Sequence, residues 1–318
     1  MTARPRVVCV VGPTASGKSA LALAIAEAVG GEIVSVDSRQ VYRRLDDGTA
    51  KPTAAERRRV PHHCLDLVEP DEAFDVARFR TAAAAAIADV VARGRVPLLV
   101  GGTGLWLRAL LRGLCPAPPR VPRLRRVLQR RIDADGPAAL HRWLVALDPA
   151  TAARVHPHDA VRIVRGVEVA LATGFPLSRW HAGHGFADAP YDARLVGLVW
   201  PTPALDARIA ARAQAMVDAG FVDEVRALRA EGFTADAPGM AAVGYREMLA
   251  HVEGRTDLAT ALAAMVRSTR QFAKRQRTWF RREPDVVWHA GDADPATIVD
   301  GVRAALASGE IAKPGGPR

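Results

Sequence analysis

The chain has 318 residues, 49% of them apolar, enough for a sizeable core in one large domain or two modest ones. No run of 18 apolar residues occurs and the start MTARPR leads straight into an apolar strand, so neither a membrane-spanning helix nor a signal peptide is expected, and no membrane partner. Three widely spaced cysteines (Cys9, Cys64 and Cys115) exclude a disulfide framework or a zinc cluster and suit a cytoplasmic setting, while a net charge of +10 points to a polyanionic partner, most simply a nucleic acid.

The first predicted strand is Val7-Val8-Cys9-Val10-Val11, with Cys9 as plain core. Directly after it, Gly12-Pro13-Thr14-Ala15-Ser16-Gly17-Lys18-Ser19 fits the phosphate-loop pattern G-x-x-x-x-G-K-[ST], and Ala20–Ala26 continues as a helix. That context carries a mechanism. Glycines let backbone N–H groups converge on phosphate oxygens, and the helix N-terminus adds roughly half a positive charge. Lys18 can reach the outer phosphates, and the Ser19 hydroxyl can ligate Mg²⁺.

Further strands are predicted at Ile33-Val34-Ser35-Val36 and Val96-Pro97-Leu98-Leu99-Val100, with an Ala-rich helix over 76–93 between them. Alternation of strand and helix implies an α/β fold with a buried parallel sheet flanked by helices. Ligands of such sheets bind at the carboxyl ends of the strands. Three motifs fall there: the phosphate loop, Asp37-Ser38-Arg39-Gln40, and Gly101-Gly102-Thr103-Gly104.

Four prolines between Pro116 and Pro122 mark a linker. Residues 123–185 read as a helical insertion, broken at Asp148-Pro149 and at His156-Pro157-His158-Asp159. A fourth strand, Arg194–Trp200, returns the chain to the sheet, followed by helices over about 203–230 and 258–282. The 313–318 tail, KPGGPR, is expected to be disordered. In the last long helix Arg267, Arg270, Lys274, Arg277 and Arg281 are spaced 3, 4, 3 and 4 apart and share one face. Met265, Phe272 and Trp279 fall on the other side, as a core stripe. Like charges at this spacing disfavour a lone helix, so a phosphate backbone is the natural counterpart. Arg120, Arg123, Arg125, Arg126, Arg130 and Arg131 form a second cluster, and together the two suggest a clamp on a large polyanion.

An NTP-hydrolysing enzyme needs an acid that holds Mg²⁺ at a neighbouring strand end. The third strand instead ends in Gly101-Gly102-Thr103, and the one strand-end carboxylate is Asp37. From the residues alone, Asp37 is as well suited to hold a metal as to act as general base.

This ordered set resembles one family, the tRNA dimethylallyltransferases (tRNA isopentenyltransferases). The resemblance covers nearly the whole chain: Gly12–Ser19, Asp37–Arg43, Gly48–Pro52, Pro61-His62-His63, Gly101–Leu105, Gly244–Glu247 and Thr269–Gln276. It implies a P-loop NTPase-like core, 1–115 and 190–318, and a mostly helical tRNA-binding insertion, 116–189. The implied reaction moves a dimethylallyl group from dimethylallyl diphosphate to N6 of the adenosine 3′ of the anticodon, position 37. Its substrates would be tRNAs that read codons starting with U, its products N6-isopentenyladenosine and diphosphate, and its cofactor Mg²⁺. By the same resemblance Asp37 is the general base, Thr103 bonds the bridging oxygen of the diphosphate, and Lys18 and Arg212 contact the diphosphate, with Arg208 a close neighbour of Arg212. Ser38, Arg39 and Gln40 would hold the extruded base. Arg125 and the segment Val161-Arg162-Ile163-Val164-Arg165 would meet the anticodon stem-loop, Val161 and Val164 being core in either case.

Two departures stand out. Ala241 occupies a position where family members often carry glutamine, and the zinc-finger extension of eukaryotic members is absent. His62-His63 lacks a second ligand pair and reads as structural. A monomer is the default, with one site per chain. Three alternatives remain: a small-metabolite kinase using the same loop, an enzyme that prenylates free adenine nucleotides, and a nucleotide-gated RNA-binding module.

Overall fold

The structure is a computed structural model that describes residues 4–308, so the 313–318 tail lies outside it. In chain order the elements begin β1 (Arg6–Val11), α1 (Lys18–Val29), β2 (Gly31–Ser35), α2 (Ala54–Arg59), β3 (His62–His63), α3 (Val76–Ala92), β4 (Val96–Gly101) and α4 (Gly104–Arg112). Five helices follow: α5 (Pro122–Asp135), α6 (Pro137–Leu147), α7 (Pro149–Ala152), α8 (Ala160–Thr173) and α9 (Leu177–His184). The chain closes with β5 (Asp192–Val199), α10 (Thr202–Asp218), α11 (Phe221–Ala230), α12 (Tyr245–Val252), α13 (Leu258–Phe280), β6 (Val286–Ala290) and α14 (Pro295–Ser308).

Two compact units result. One runs to Leu111 and resumes at Pro190; the other spans Arg112–Ala189. The first holds a six-stranded sheet, every pair parallel, in the order β3-β2-β4-β1-β5-β6. β1 is apolar at every position after Arg6 because both its faces are covered. Val7, Cys9 and Val11 enter one core with Phe79, Trp106, Met265 and Phe280, while Val8 and Val10 enter the other with Leu21, Ile25, Ile298 and Val302.

The second unit has its own core, built from Leu128, Leu140, Leu144, Ile163, Val164 and Val167. Pro122 and Pro137 stand in the first turns of α5 and α6, where a missing N–H costs nothing. Asp159 caps α8 by accepting the Arg162 N–H at 3.1 Å.

The structure corrects several expectations. β3 and β6 are additional strands at the two edges of the sheet. The helix expected over 203–230 is two, parted at Gly220, whose φ of 113° is left-handed and ends regular helix. Gly136 adds a further break in the 123–185 stretch. Val161 is 75% exposed, not core: two residues before Ile163, it sits about 200° around the helix from it. In α13 the buried seam runs through Ala261, Met265, Ala273, Gln276 and Phe280, and Phe272 is only half-buried. Among the described residues no helix is long and apolar enough to cross a membrane, and Cys9, Cys64 and Cys115 are buried free thiols.

Candidate active site

The phosphate loop joins β1 to α1. Gly17 occupies the N-cap position of α1 with φ 97°, a conformation natural to glycine, and brings no capping side chain. The first N–H groups of the helix are thereby left for an anion. Two side chains of the β5–α10 region hold the loop from outside. Trp200 Nε1 donates to the Ser16 carbonyl and Arg208 Nε to the Ala15 carbonyl, both at 2.9 Å, and the Arg208 guanidinium lies 4.5 Å from the Trp200 ring centre. A trans peptide points its C=O and N–H in opposite directions, so fixing the Ser16 carbonyl on Trp200 turns the Gly17 N–H the other way. The Ser16 hydroxyl is buried and has no partner among the described residues. An orphaned buried donor inside a phosphate loop suits a phosphate oxygen.

The ends of β2 and β4 meet beside this loop. Thr103 N–H donates to Val36 O at 3.2 Å. A Cβ on Gly101 would lie 2.0 Å from that same oxygen, so only glycine allows the approach. Thr103 Oγ1 accepts the Ser38 N–H at 3.1 Å, placing the threonine hydroxyl on the strand-end loop that carries Asp37. Asp37 Oδ1 accepts the Arg39 N–H at 2.8 Å, an Asx-type contact that fixes the carboxylate's orientation. Arg39 donates onward to Pro238 O at 2.9 Å. The Gln40 amide is fully engaged with protein groups: Oε1 accepts from Ser35 Oγ at 2.8 Å, and Nε2 donates to Thr49 O and Ala50 O. It braces the end of β2 against the loop after Leu45.

Burial of its ammonium, and next the Arg212 guanidinium, bring Lys18 down to about 8, while Asp37 pulls the other way. Burial likewise lowers Arg212, again opposed by Asp37. Lys18, Arg212 and Asp37 therefore share one electrostatic neighbourhood. Arg212 also lines an open cleft of about 570 Å³ with Lys51, Thr53, Arg57 and Met216. One pH dependence follows. Above about pH 8 the free protein loses the Lys18 charge, so affinity for a diphosphate should fall between pH 7 and 9. The expected loss is up to about tenfold, relative to a Lys18→Arg variant that stays charged throughout. Titration calorimetry at several pH values checks this; parallel profiles for the two proteins would contradict it.

The residues expected to meet RNA divide into two groups. On α13, Arg267, Arg270 and Lys274 are exposed, as is Arg281 at its C-cap, and Arg277 is half-buried with Nη1 donating to Thr202 Oγ1 at 2.7 Å. Arg270 makes a loose pair with Asp206 at 3.5 Å, too open to hold it against a phosphate. In the second unit, by contrast, Arg125 and Arg165 both bind the buried Glu168, at 3.0 and 2.9 Å. They keep that carboxylate ionised below the usual range against the cost of its burial. Arg162 is exposed and pairs with its own cap, Asp159. Ile163 and Val164 are buried in the unit's core.

The sequence reading gave no role to Gln276, the last residue of the segment Thr269–Gln276; it accepts the Thr14 N–H at 2.8 Å and donates to Gly102 O at 3.0 Å. Its signal was a lone amide in an otherwise apolar seam of α13. Trp200, which holds the phosphate loop, was also missed, a tryptophan closing a strand being its only cue, and Arg208, named only as a neighbour of Arg212, holds the loop beside it. His62 and His63 form β3, where His63 bonds Glu32 and His62 the Val60 carbonyl. Among the described residues no group of three or more His, Cys, Asp or Glu is gathered for a metal. A phosphate-bound Mg²⁺ does not require one, since it takes most of its oxygens from phosphate and water, and the Ser19 hydroxyl at the start of α1 is a fitting donor.

An all-parallel sheet with a phosphate loop after β1, and a strand-end Asp and Thr facing it, defines a P-loop-type α/β protein that binds a di- or triphosphate. The pattern of the IPP transferases matches residues 40–283, and that of the isopentenyl transferases residues 5–66. The chain is 50% identical over 295 residues to tRNA dimethylallyltransferase 1 of Trichlorobacter lovleyi, covering 93% of this chain and 97% of that one. It is 52% identical to the tRNA dimethylallyltransferase of Anaeromyxobacter dehalogenans, over 92% and 97%. Among solved structures, a tRNA isopentenylpyrophosphate transferase of Bacillus halodurans is 35% identical with a TM-score of 0.71, covering 96% of each chain. A eukaryotic dimethylallyltransferase acting on tRNA is 25% identical with a TM-score of 0.80, over 97% and 81%. The chain belongs to the IPP transferase family of tRNA dimethylallyltransferases.

Proposed function

We propose that this protein transfers the dimethylallyl group of dimethylallyl diphosphate to N6 of adenosine 37 in tRNAs that read codons beginning with U. The observation that carries the reading is the shared neighbourhood of Lys18, Arg212 and Asp37, with Thr103 hydrogen-bonded to the loop of Asp37. Cations for a leaving group and a carboxylate for a proton stand at one place.

The chemistry follows from those groups. The allylic C–O bond breaks and its electron pair stays on the diphosphate. Lys18, Arg212 and the N-terminal amides of α1 stabilise the charge that builds there. The Thr103 hydroxyl donates to the bridging oxygen, which gains charge as that bond breaks. The N6 lone pair forms the new C–N bond, and the N6 proton passes to the Asp37 carboxylate. Mg²⁺ held by Ser19 would supply further neutralisation of the diphosphate. Ser38 and Arg39 frame the place of the extruded base, with Gln40 bracing the loop behind them, and a loop nucleotide is cheap to extrude. The exposed arginines and lysine of α13, with those of the second unit, provide counterion release for the RNA backbone. The protein works as a monomer, one site per chain.

The test is label transfer. Purified chain, Mg²⁺ and radiolabelled dimethylallyl diphosphate are mixed with unmodified tRNA, with AMP, or with ATP. Label in tRNA is the expected result. Label only in AMP makes the protein a nucleotide prenylase, and phosphate released from ATP without transfer makes it a kinase-like enzyme. In a second experiment, Arg270→Glu with Lys274→Glu should weaken tRNA binding. The slope of log affinity against log salt should flatten by about two, roughly one per lost phosphate contact. An unmoved slope would mean that this face is merely solvated.

A further inference from the structure

The parallel pairing of β1 with β4 ends at Val11↔Gly101, and beyond it the two chains part, one into the phosphate loop and the other toward Thr103. One side chain spans the gap. The Gln276 amide accepts the Thr14 N–H at 2.8 Å through Oε1 and donates to Gly102 O at 3.0 Å through Nε2. Each partner dictates one end of the amide, so its orientation is determined. Gln276 is buried, the one polar member of the buried seam of α13. A Cβ on Gly102 would lie 2.0 Å from Nε2, so the backbone has given up a side chain for this contact.

We propose that Gln276 is a positioning residue. Its amide acts as an extra rung between two loops that have left the sheet, and so sets the spacing between the diphosphate-binding groups and Thr103. Filling the core does not account for it. An apolar residue of that length would serve a seam otherwise made of Ala, Met and Phe, and would carry no desolvation cost. Both of its hydrogen bonds instead go to backbone groups of the two loops that the leaving group must touch together. A hydroxyl displaced by a few tenths of an ångström forfeits a bond that matters only as charge develops, so the effect belongs in kcat and in diphosphate affinity.

The kinetic side of this inference rests on the transferase reading, so the experiment includes a measurement that does not. Gln276→Met keeps length and removes both bonds. We expect inorganic pyrophosphate, with Mg²⁺, to bind at least tenfold more weakly by calorimetry. Turnover should fall at least tenfold, with the tRNA dissociation constant within twofold of wild type. Gln276→Glu is the conservative control, because a neutral carboxylic acid reproduces the amide's pattern of one acceptor and one donor, and burial raises the pH at which it protonates. Its pyrophosphate affinity relative to wild type should therefore recover severalfold as pH falls from 8 to 6. Wild-type pyrophosphate affinity in folded Gln276→Met overturns the proposal. So does a flat ratio across pH for Gln276→Glu, which decides the matter if the methionine variant does not fold. If wild type itself transfers no label to tRNA, the transferase reading fails, while the pyrophosphate measurements still judge Gln276.

Discussion

Asp37→Asn should fold, bind tRNA as tightly as wild type and lose about 10²- to 10⁴-fold in turnover, the range for removing a positioned general base. The substitution preserves the shape of the side chain. The asparagine Oδ1 can still accept the Arg39 N–H that fixes the carboxylate at 2.8 Å, so the loop at the end of β2 keeps its form. What goes is the capacity to take the N6 proton. A negative charge also leaves the surroundings of Lys18 and Arg212, both of which Asp37 favours in their charged forms. Diphosphate affinity should therefore change little or rise, because two cations lose a competitor to the diphosphate. Single-turnover transfer measured beside equilibrium binding of each substrate separates the two effects. A normal rate would remove Asp37 from the chemistry.

Thr103→Ala comes next in size, with kcat about ten- to a thousandfold lower, as for the loss of one donor to a developing oxyanion. KM for dimethylallyl diphosphate should move by less than threefold, since the bond matters chiefly as the C–O bond breaks. The fold should tolerate the change. Thr103 N–H, not its side chain, makes the tie to Val36 O, and the Ser38 N–H that loses its acceptor is only partly buried. A rate loss that appears wholly in KM would recast Thr103 as a binding residue.

Much of the core unit is legible in the sequence because its signals are local. The run Val7–Val11, a glycine loop and an apolar helix are consecutive, and each restricts the backbone by its own chemistry. The edge strands are not of that kind. β3 is two histidines, extended only because Ile33 and Val34 offer a ladder. β6 is a short run after Arg-Arg-Glu-Pro-Asp whose partner, Leu195–Val199, lies far back in the chain. Arginines show the same limit. Spacing places five cations on one face of α13, and most of them are exposed there. Spacing does not say that Arg125 and Arg165 are bound to a buried Glu168, for that depends on a carboxylate whose burial is a tertiary fact. Gln276 is the sharpest case: its meaning lies in two backbone groups more than 170 positions away.

The position of β1 has a consequence for the making of the protein. Val8 pairs on one side with Leu98 and on the other with Arg194, so the second partner follows 186 residues later (194 − 8). At a synthesis rate of about 5–20 residues per second, the most apolar strand of the sheet waits roughly ten to forty seconds on the ribosome with at least one edge unpaired. Residues 112–189 are translated in that interval and close their own core meanwhile. The open edge Val7–Val11 is a template for β-addition, so the order of synthesis leaves the sheet's most apolar strand exposed to mispairing until β5 is made.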